Sequence, residues 1–400
     1  MTSVTDKSRR RGVLASGGFA HFIHDGFTDC LFVLLPLWAT GFGLSHTQVG
    51  FLKMCMSGSL AASQVPAGFV SERLGERVVL AAGTLLAGTG FVMLMFAEGF
   101  FSLAVILLIA GTGCAVQHPL ASSVISTAYE GGGRRAALGM YNFFGDLGKV
   151  VLPFSVAAII GVYGWQAGST AIGVVGVIAA VLIFIALVRL RAGGRPSNEN
   201  RGPAHLKSQG WGIRHRRGFA ILSMIGMIDT SSRLAFLTFL PFLLIEKGLE
   251  VTGVGFALAL IFSGGAAGKL ICGLVAERLG ILRTVVITEL ATGGLILVVI
   301  VADLTVAMAM LPLLGIALNG TSSVLYGTVG DFVDPARRAR AFGAFYTLGI
   351  GAGAVAPLCY GFVSDAWGVD MALTILALTV FLTLPLCLAL RPALKSAEAA

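Results

Sequence analysis

The sequence predicts an all-α membrane protein, with twelve transmembrane helices in two pseudo-symmetric six-helix bundles around a central cavity. Three observations carry this: the hydropathy, the placement of the basic residues, and an internal repeat. Of the 400 residues, 56% are hydrophobic and only 12% charged, where an average soluble domain has roughly 45–50% and about 25%. Mean hydropathy is +0.89. A water-soluble globule has no way to cover that much apolar surface, so a soluble enzyme is excluded. A span takes about 20 apolar residues, so twelve use about 240 and leave no room for a large soluble domain.

The apolar runs place helices at 13–40, 48–70, 78–97, 102–128, 137–163, 167–190, 218–245, 252–275, 283–302, 305–330, 339–363 and 370–390. With the N-terminus inside, the basic residues collect in the cytoplasmic segments. Arg9 to Arg11, Arg73 and Arg77, Arg134 and Arg135, Arg278 and Arg283, and Arg337, Arg338 and Arg340 fall there. So do Arg191, Arg195, Arg201, Lys207, Arg214, Arg216 and Arg217 of the longest loop. On the other side stands Lys247, among Glu246, Glu250, Glu98, Asp303, Asp365 and Asp370. Excess Lys and Arg marks the cytoplasmic face, so both termini are expected in the cytoplasm and the chain in the plasma (inner) membrane.

The net charge of +8 follows from this topology and does not call for nucleic acid. The six cysteines lie in apolar stretches without metal-ligand or C-x-x-C spacing, and read as small core residues. Lys7 to Arg11 before an apolar run imitates a signal peptide. The run continues to about residue 40 through His21, His24, Asp25 and Asp29, so it reads as an uncleaved first helix.

Residues 191–217 are basic, contain Gly, Pro and Asn, and lack apolar periodicity, which makes a linker. The expected organisation is a six-helix bundle over 1–190, this linker, and a second bundle over 218–400. The halves repeat. Gly68-x-x-x-Glu72-Arg73-x-Gly75 returns as Gly273-x-x-x-Glu277-Arg278-x-Gly280, offset by 205. Asp25, Arg134, Gly139, Gly145 and Pro153 return as Asp229, Arg338, Gly343, Gly349 and Pro357, offset by 204. Two parallel six-helix repeats are a carrier architecture, in which the halves rock around a midplane site.

Gly68-Phe-Val-Ser-Glu72-Arg73-Leu-Gly75-Glu76-Arg77 resembles the major facilitator superfamily signature between helices 2 and 3, with Glu72 for the usual Asp and Glu76 for a usual Arg. A narrower resemblance rests on three groups of residues. They are His21-Phe22-x-x-Asp25 with Leu35-Pro36-Leu37, Gly111-x-Gly113-x-x-x-x-His118-Pro119-x-Ala121-Ser122, and Gly145-x-x-Gly148-x-x-x-x-Pro153. These are similar to the fosmidomycin-resistance branch of drug efflux proteins. That resemblance implies expulsion of a phosphonate or another small organic molecule in exchange for protons. The sequence departs from the branch at Asp146 and Lys149, where uncharged residues are expected.

Ionisable groups inside a span are costly and mark function by default. His21, Asp25 and Asp29 form an i, i+4, i+8 stripe, with His24 on a neighbouring face. The resemblance implies that helices 1, 4, 7 and 10 line the cavity, so the stripe faces substrate or the other half. Asp25 is the expected proton-coupling carboxylate, with Asp29 and His118 beside it; alternatively, Asp25 makes a structural hydrogen bond to a neighbouring helix. His118 either relays protons or donates to a carbonyl freed by Pro119. Arg233 binds an anion bidentately, latches against Asp29 across the halves, or pairs with Asp229 in its own helix. Asp146 and Lys149 bind substrate or neutralise each other at i, i+3.

His21, His24, Gln117, Asn319, Tyr326 and Lys269 complete the substrate-binding set. Thr321, Ser322 and Ser323 orient a ligand or glue helices together. Lys53 is expected to snorkel to the periplasmic end, and Glu289 to face outward or pair locally. By the family resemblance, Glu72, Arg73, Arg77, Glu277, Arg278, Arg134 and Arg338 form charge networks that gate transport.

No G-x-x-x-x-G-K-[ST] loop is present, so ATP is not the expected energy source. No cofactor, metal or catalytic residue is expected. The expected partners are a small-molecule substrate, protons and the lipid bilayer, without nucleic acid and with a monomeric carrier. The leading expectation is proton-coupled export of a small anionic or zwitterionic compound. The alternative, carried by Arg233, Lys149 and Lys269, is an uptake symporter or an exchanger for organic or phosphorylated anions.

Overall fold

The computed structural model describes residues 2–130, 132–195, 213–333 and 338–398. Sequence expectations about Arg201, Lys207 and Arg337, and about the side chains of Arg135, Ser323, Arg338 and Arg340, lie outside the described residues. The helices are α1 (Thr2–Phe42), α2 (His46–Leu74), α3 (Glu76–Met93), α4 (Phe100–Cys114), α5 (Gln117–Ala128), α6 (Arg134–Arg189), α7 (Arg216–Glu246), α8 (Val251–Leu279), α9 (Ile281–Val301), α10 (Leu304–Val329), α11 (Arg338–Phe381) and α12 (Thr383–Glu398). Among the described residues there is no strand, only an isolated bridge between Ile213 and Val333.

Helices and spans do not correspond one to one, and glycine and proline explain why. α6 and α11 each hold two spans, turned at Gly164 (φ 82°) and Gly368 (φ 84°), one repeat apart. A positive φ is cheap only for glycine. Two of the spans read as continuous are broken. The span expected over 102–128 divides into α4 and α5, because Pro119 has no N–H for the carbonyl four residues back. The span expected over 370–390 breaks at Leu382, where Pro385 does the same to Phe381. Among the described residues, nine helical stretches are long and apolar enough to cross a membrane, two of them the double spans. The more polar α2 is the twelfth span.

The chain separates into two compact units, Met1–Gly43 with Cys55–Leu206, and Leu44–Met54 with Lys207–Ala400. In the first, α1 packs along α6 and α5, and α3 along α6 and α4; in the second, α7 packs along α11, and α9 along α10 and α11. Phe27, Leu31, Leu34, Leu35, Trp38 and Phe91 are fully buried in the first unit. Phe219, Leu222, Ile225, Leu325, Phe332 and Phe345 form a core in the second. Apolar side chains also cover the outside, with Phe101 82% and Val301 83% exposed; such a surface suits lipid and not water.

Several side chains sit differently from the sequence expectation. Lys53 does not snorkel: it is 2% exposed and shares the buried 49, 52, 53, 56 stripe of α2 with Val49, Leu52 and Met56. Cys359 is exposed, while the other five cysteines are buried. Lys247 caps a helix, its Nζ donating to the carbonyls of Ile300 and Ala302 at 2.7 Å each at the end of α9, where a cation also meets the negative end of the helix dipole.

Replacing Gly164 or Gly368 with alanine forces a residue with a Cβ into a positive-φ, extended backbone (ψ 169° and 165°) that is essentially reserved for glycine, at a cost of about 1–3 kcal/mol. Each variant is expected to melt below the wild type in detergent. Gly58→Ala is expected to melt with the wild type, because its added methyl meets open space inside a helix. Equal melting of all three would refute the strained-turn reading.

Candidate functional site

The site grows from the contact between α1 and α6. A Cβ on Gly148 would collide with the backbone carbonyl of Phe22, and one on Gly145 would stand 2.5 Å from His21 Nε2. With only hydrogen at these positions, α1 lies close enough for His21 Nδ1 to reach the Tyr141 carbonyl at 2.9 Å. The His21 ring rests on the Tyr141 ring, centroids 4.2 Å apart.

Asp25, one turn beyond His21, is the centre of the cluster and 6% exposed. Its Oδ2 lies 3.2 Å from His21 Nε2 and 3.2 Å from Lys149 Nζ. Its Oδ1 lies 3.8 Å from Nε2 of His118 on α5. Lys149 also stands 3.8 Å from Asp146 Oδ1. The expected Asp146–Lys149 pair is therefore the longer of two contacts, because α6 turns the lysine towards α1. The His118 side chain is 49% exposed and that of Lys149 29%, whereas that of His21 is 5% exposed. The cluster thus has a buried end and an accessible cationic end.

Hydrogen-bond roles fix a proton count. The Tyr141 carbonyl only accepts, so His21 Nδ1 carries a hydrogen; this tautomer is assigned from its partner. In a neutral ring Nε2 then presents a lone pair to Asp25 Oδ2. Two acceptors at that distance repel unless one more proton lies between them, on the ring or on the carboxyl. The geometry lets the pair share one proton. With it, Asp25, Asp146, His21 and Lys149 sum to zero charge; without it, they sum to minus one.

His24 leaves the cluster. It is turned towards α3, where Nε2 lies 2.8 Å from Thr84 Oγ1, and that hydroxyl donates to the Leu80 carbonyl. Gln117 is fully buried and donates to the Tyr141 hydroxyl at 2.8 Å; its Oε1 has no protein partner. Asp29 is buried one turn beyond Asp25.

The second unit holds another polar centre. Asp229 is 5% exposed and feels the charge of Arg233. Tyr326 stacks on Tyr346, centroids 4.5 Å apart. Asp229, Thr230, Ser322 and Tyr326 border a cavity of about 10 Å³, the size of a single water. Glu289 is 2% exposed and does not face outward. Thr321, Thr383 and Asp229 are near enough to act on its carboxyl, because α9 turns its Thr288, Glu289 and Thr292 face inward. Asn319 donates back to the Gly315 carbonyl of its own helix at 3.3 Å. Lys269 is half-buried on α8.

Of the expected gating set, the Arg338 side chain lies outside the described residues. Glu72, Arg73, Arg134, Glu277 and Arg278 are exposed at helix ends, and among the described residues they make no ion pair with one another. Arg77 instead donates its backbone N–H to the Gly193 carbonyl at 2.8 Å. The sequence reading missed Tyr141, Thr84, Thr288 and Tyr346, and named Glu289 without placing it in a site. The signal for Glu289 was its threonine neighbours one residue before and three after; for Tyr141, its position one turn before Gly145.

Twelve spans in two repeated units around buried ionisable clusters define a polytopic membrane carrier. The family model of the major facilitator superfamily matches residues 17–311 and 222–400, and the chain belongs to that superfamily. It is a multi-pass transporter of small molecules. The fosmidomycin resistance protein of Escherichia coli is 22% identical over 391 residues, covering 94% of each chain. A probable sulfoacetate transporter of Cupriavidus necator is 24% identical, covering 84% of this chain and 83% of its own. A probable L-galactonate transporter of Escherichia coli is 26% identical over 59% of this chain and 55% of its own. Among solved structures, an inward-facing bacterial homologue of the lysosomal transporter Spinster superposes with a TM-score of 0.77 at 17% identity, covering 98% and 97%. The nucleoside transporter NupG gives 0.76 at 14%, covering 94% and 99%.

Gly145→Ala is expected to push the His21 ring off Asp25 and to reduce transport by about tenfold or more, the worth of one hydrogen bond to a charged group at about 1.5–3 kcal/mol. Gly139→Ala, whose methyl meets open space, is expected to transport as the wild type does. Transport counted in reconstituted vesicles decides it; equal rates would overturn the role of this contact.

Proposed function

We propose that this chain is a proton-coupled transporter of a small organic anion, with the His21–Asp25 pair carrying the proton and Lys149 and His118 meeting the anion. The single observation behind the reading is the shared carboxylate oxygen, Asp25 Oδ2, 3.2 Å from both His21 and Lys149. While Asp25 is ionised without the extra proton, it holds Lys149 as its counter-ion. A proton in the His21–Asp25 seat compensates that carboxylate and frees the ammonium for an anion. Proton and anion thus support each other's binding, which is the coupling of a symporter. Two of the relatives carry names of organic anions, sulfoacetate and L-galactonate, which agrees with a cationic binding group. The basic residues at one set of helix ends support insertion in the plasma (inner) membrane with both termini in the cytoplasm.

Export in exchange for protons is the second reading, favoured by the 22% identity to the fosmidomycin resistance protein over 94% of the chain. It requires the anion to bind when the proton has left, against the charge of Asp25.

Proteoliposomes with a pH dye in the lumen separate the two. Addition of sulfoacetate, aldonates or phosphonates outside is expected to acidify the lumen under symport, and to alkalinise it under exchange. Asp25→Asn is expected to abolish either signal, and a proton signal that survives undiminished in that variant would refute the proton assignment. Lys149→Gln is expected to raise the half-saturating anion concentration about tenfold or more, as loss of a charge-assisted contact does. An unchanged value would remove the anion from Lys149.

A further inference from the structure

A large cavity that none of these residues lines lies at an arginine-bearing end of the second unit. It encloses about 640 Å³ between the start of α9 and the end of α12. Its walls are apolar, with Leu282, Val286, Ile287 and Leu388 among them, and its charged lining groups are Arg283 and Arg391. Among the described residues no acidic group lines it. Leu388 is 72% and Ile287 51% exposed, so the apolar wall continues onto the lipid-facing surface.

The repeat makes the opening informative. In the first unit the corresponding corner, Gly75 at the start of α3, is covered by the chain itself. The backbone of Gly193–Arg195 packs against Gly75, and Arg77 N–H donates to the Gly193 carbonyl. In the second unit Gly280 has the same turn, with φ 84° against 89°, but among the described residues a Cβ there would meet nothing. No side chain caps α9 at Gly280. The corner therefore presents two guanidinium groups and the positive end of a 21-residue helix, beside a greasy trough open to the bilayer.

We infer that this corner binds an anionic phospholipid of the adjacent leaflet. The phosphate pairs with Arg283 and Arg391, and an acyl chain lies along Ile287 and Leu388. Charge complementarity selects the occupant: guanidinium groups match phosphate oxygens bidentately, and basic pockets between spans at the membrane surface suit anionic headgroups. A soluble anion would use the arginines and leave the apolar trough unfilled. This site is independent of the proton and substrate residues.

The full-length protein, purified in mild detergent, is titrated with phosphatidylglycerol and with phosphatidylcholine of the same chains, and bound lipid is counted by native mass spectrometry. The wild type is expected to retain phosphatidylglycerol preferentially. Arg283→Gln with Arg391→Gln is expected to weaken that binding about tenfold or more, as two membrane-surface cations contribute. The charge-matched control Arg189→Gln with Arg217→Gln, away from the cavity, is expected to retain it. Equal retention of the two lipids by the wild type, or equal weakening in both double variants, would overturn the site. Displacement of the lipid by millimolar inorganic phosphate would identify a free-anion site and overturn the lipid assignment. Should the Gln pair fail to fold, Arg283→Lys with Arg391→Lys serves, expected to keep the preference for phosphatidylglycerol at reduced affinity; its loss of all preference for phosphatidylglycerol would count against charge recognition.

Discussion

Asp25 sets the terms for the first unit. A carboxylate inside a membrane bundle has no water to share its charge, and insertion alone costs on the order of 2.5–3.5 kcal/mol. It is tolerated because His21 and Lys149 stand 3.2 Å from one of its oxygens and His118 3.8 Å from the other. Those partners come from three helices. Bringing them together requires α1 and α6 to approach within the reach of a lysine, and the absence of side chains at Gly145 and Gly148 permits it. Packing and charge are therefore one problem here: the small residues exist where the polar cluster needs backbone to be close. Small residues serve close approach in membrane bundles generally; here the contact also orients an ionisable ring.

The duplication repeats the skeleton and not the chemistry. Asp229 repeats Asp25 at the 204 offset, but Ile225 stands where His21 would, Ser322 where His118 would, Phe345 where Tyr141 would and Gly353 where Lys149 would. The second acid thus lacks every partner that compensates the first. Its companions are Arg233 on its own helix and Glu289 from α9, with hydroxyls of Thr288, Thr321 and Thr383 around them. Among the described residues, a histidine ring held by a carbonyl beside the buried acid occurs in the first unit and has no counterpart at the repeat positions of the second. The second unit supplies hydroxyls and tyrosines, groups that orient a ligand without exchanging charge. Division of labour between halves follows from divergence at a handful of facing positions.

Hydropathy, basic-residue placement and the repeat made the twelve spans and the polar residues inside them legible. A helix that is apolar nearly all round carries little information about which face meets which neighbour. Lys53 and Glu289 show the consequence. Each is a lone charge in an apolar run, and the run alone does not separate a snorkelling position from an inward one. Asp25 was legible because it shares a stripe with His21; Lys149 was legible as an intruder in the family pattern, but its nearest partner is on another helix. His24 lies only three residues from His21, yet that rotation carries it to Thr84 on α3. The breaks at Pro119 and Pro385 were written in the sequence, and hydropathy averaging over about 20 residues hides them.

Under the proposed function, Lys149 also decides what kind of coupling the cluster can support. Two unit charges 4 Å apart interact by about 4 kcal/mol at the effective dielectric of about 20 that suits partly buried sites. About 1.4 kcal/mol already amounts to a tenfold change in affinity. An anion arriving at Lys149 therefore meets a strong competitor in an uncompensated Asp25 and a weak one in Asp25 sharing a proton with His21. That difference is a coupling free energy, and it is reciprocal: the proton raises affinity for the anion by the same factor as the anion raises affinity for the proton. A cationic substrate would reverse the sign, since it would favour the ionised carboxylate and expel the proton. With an uncharged residue at position 149, the competition would fall to the more exposed His118 alone, and the sign would depend on its protonation. The lysine ties the sign of coupling to the charge of the substrate.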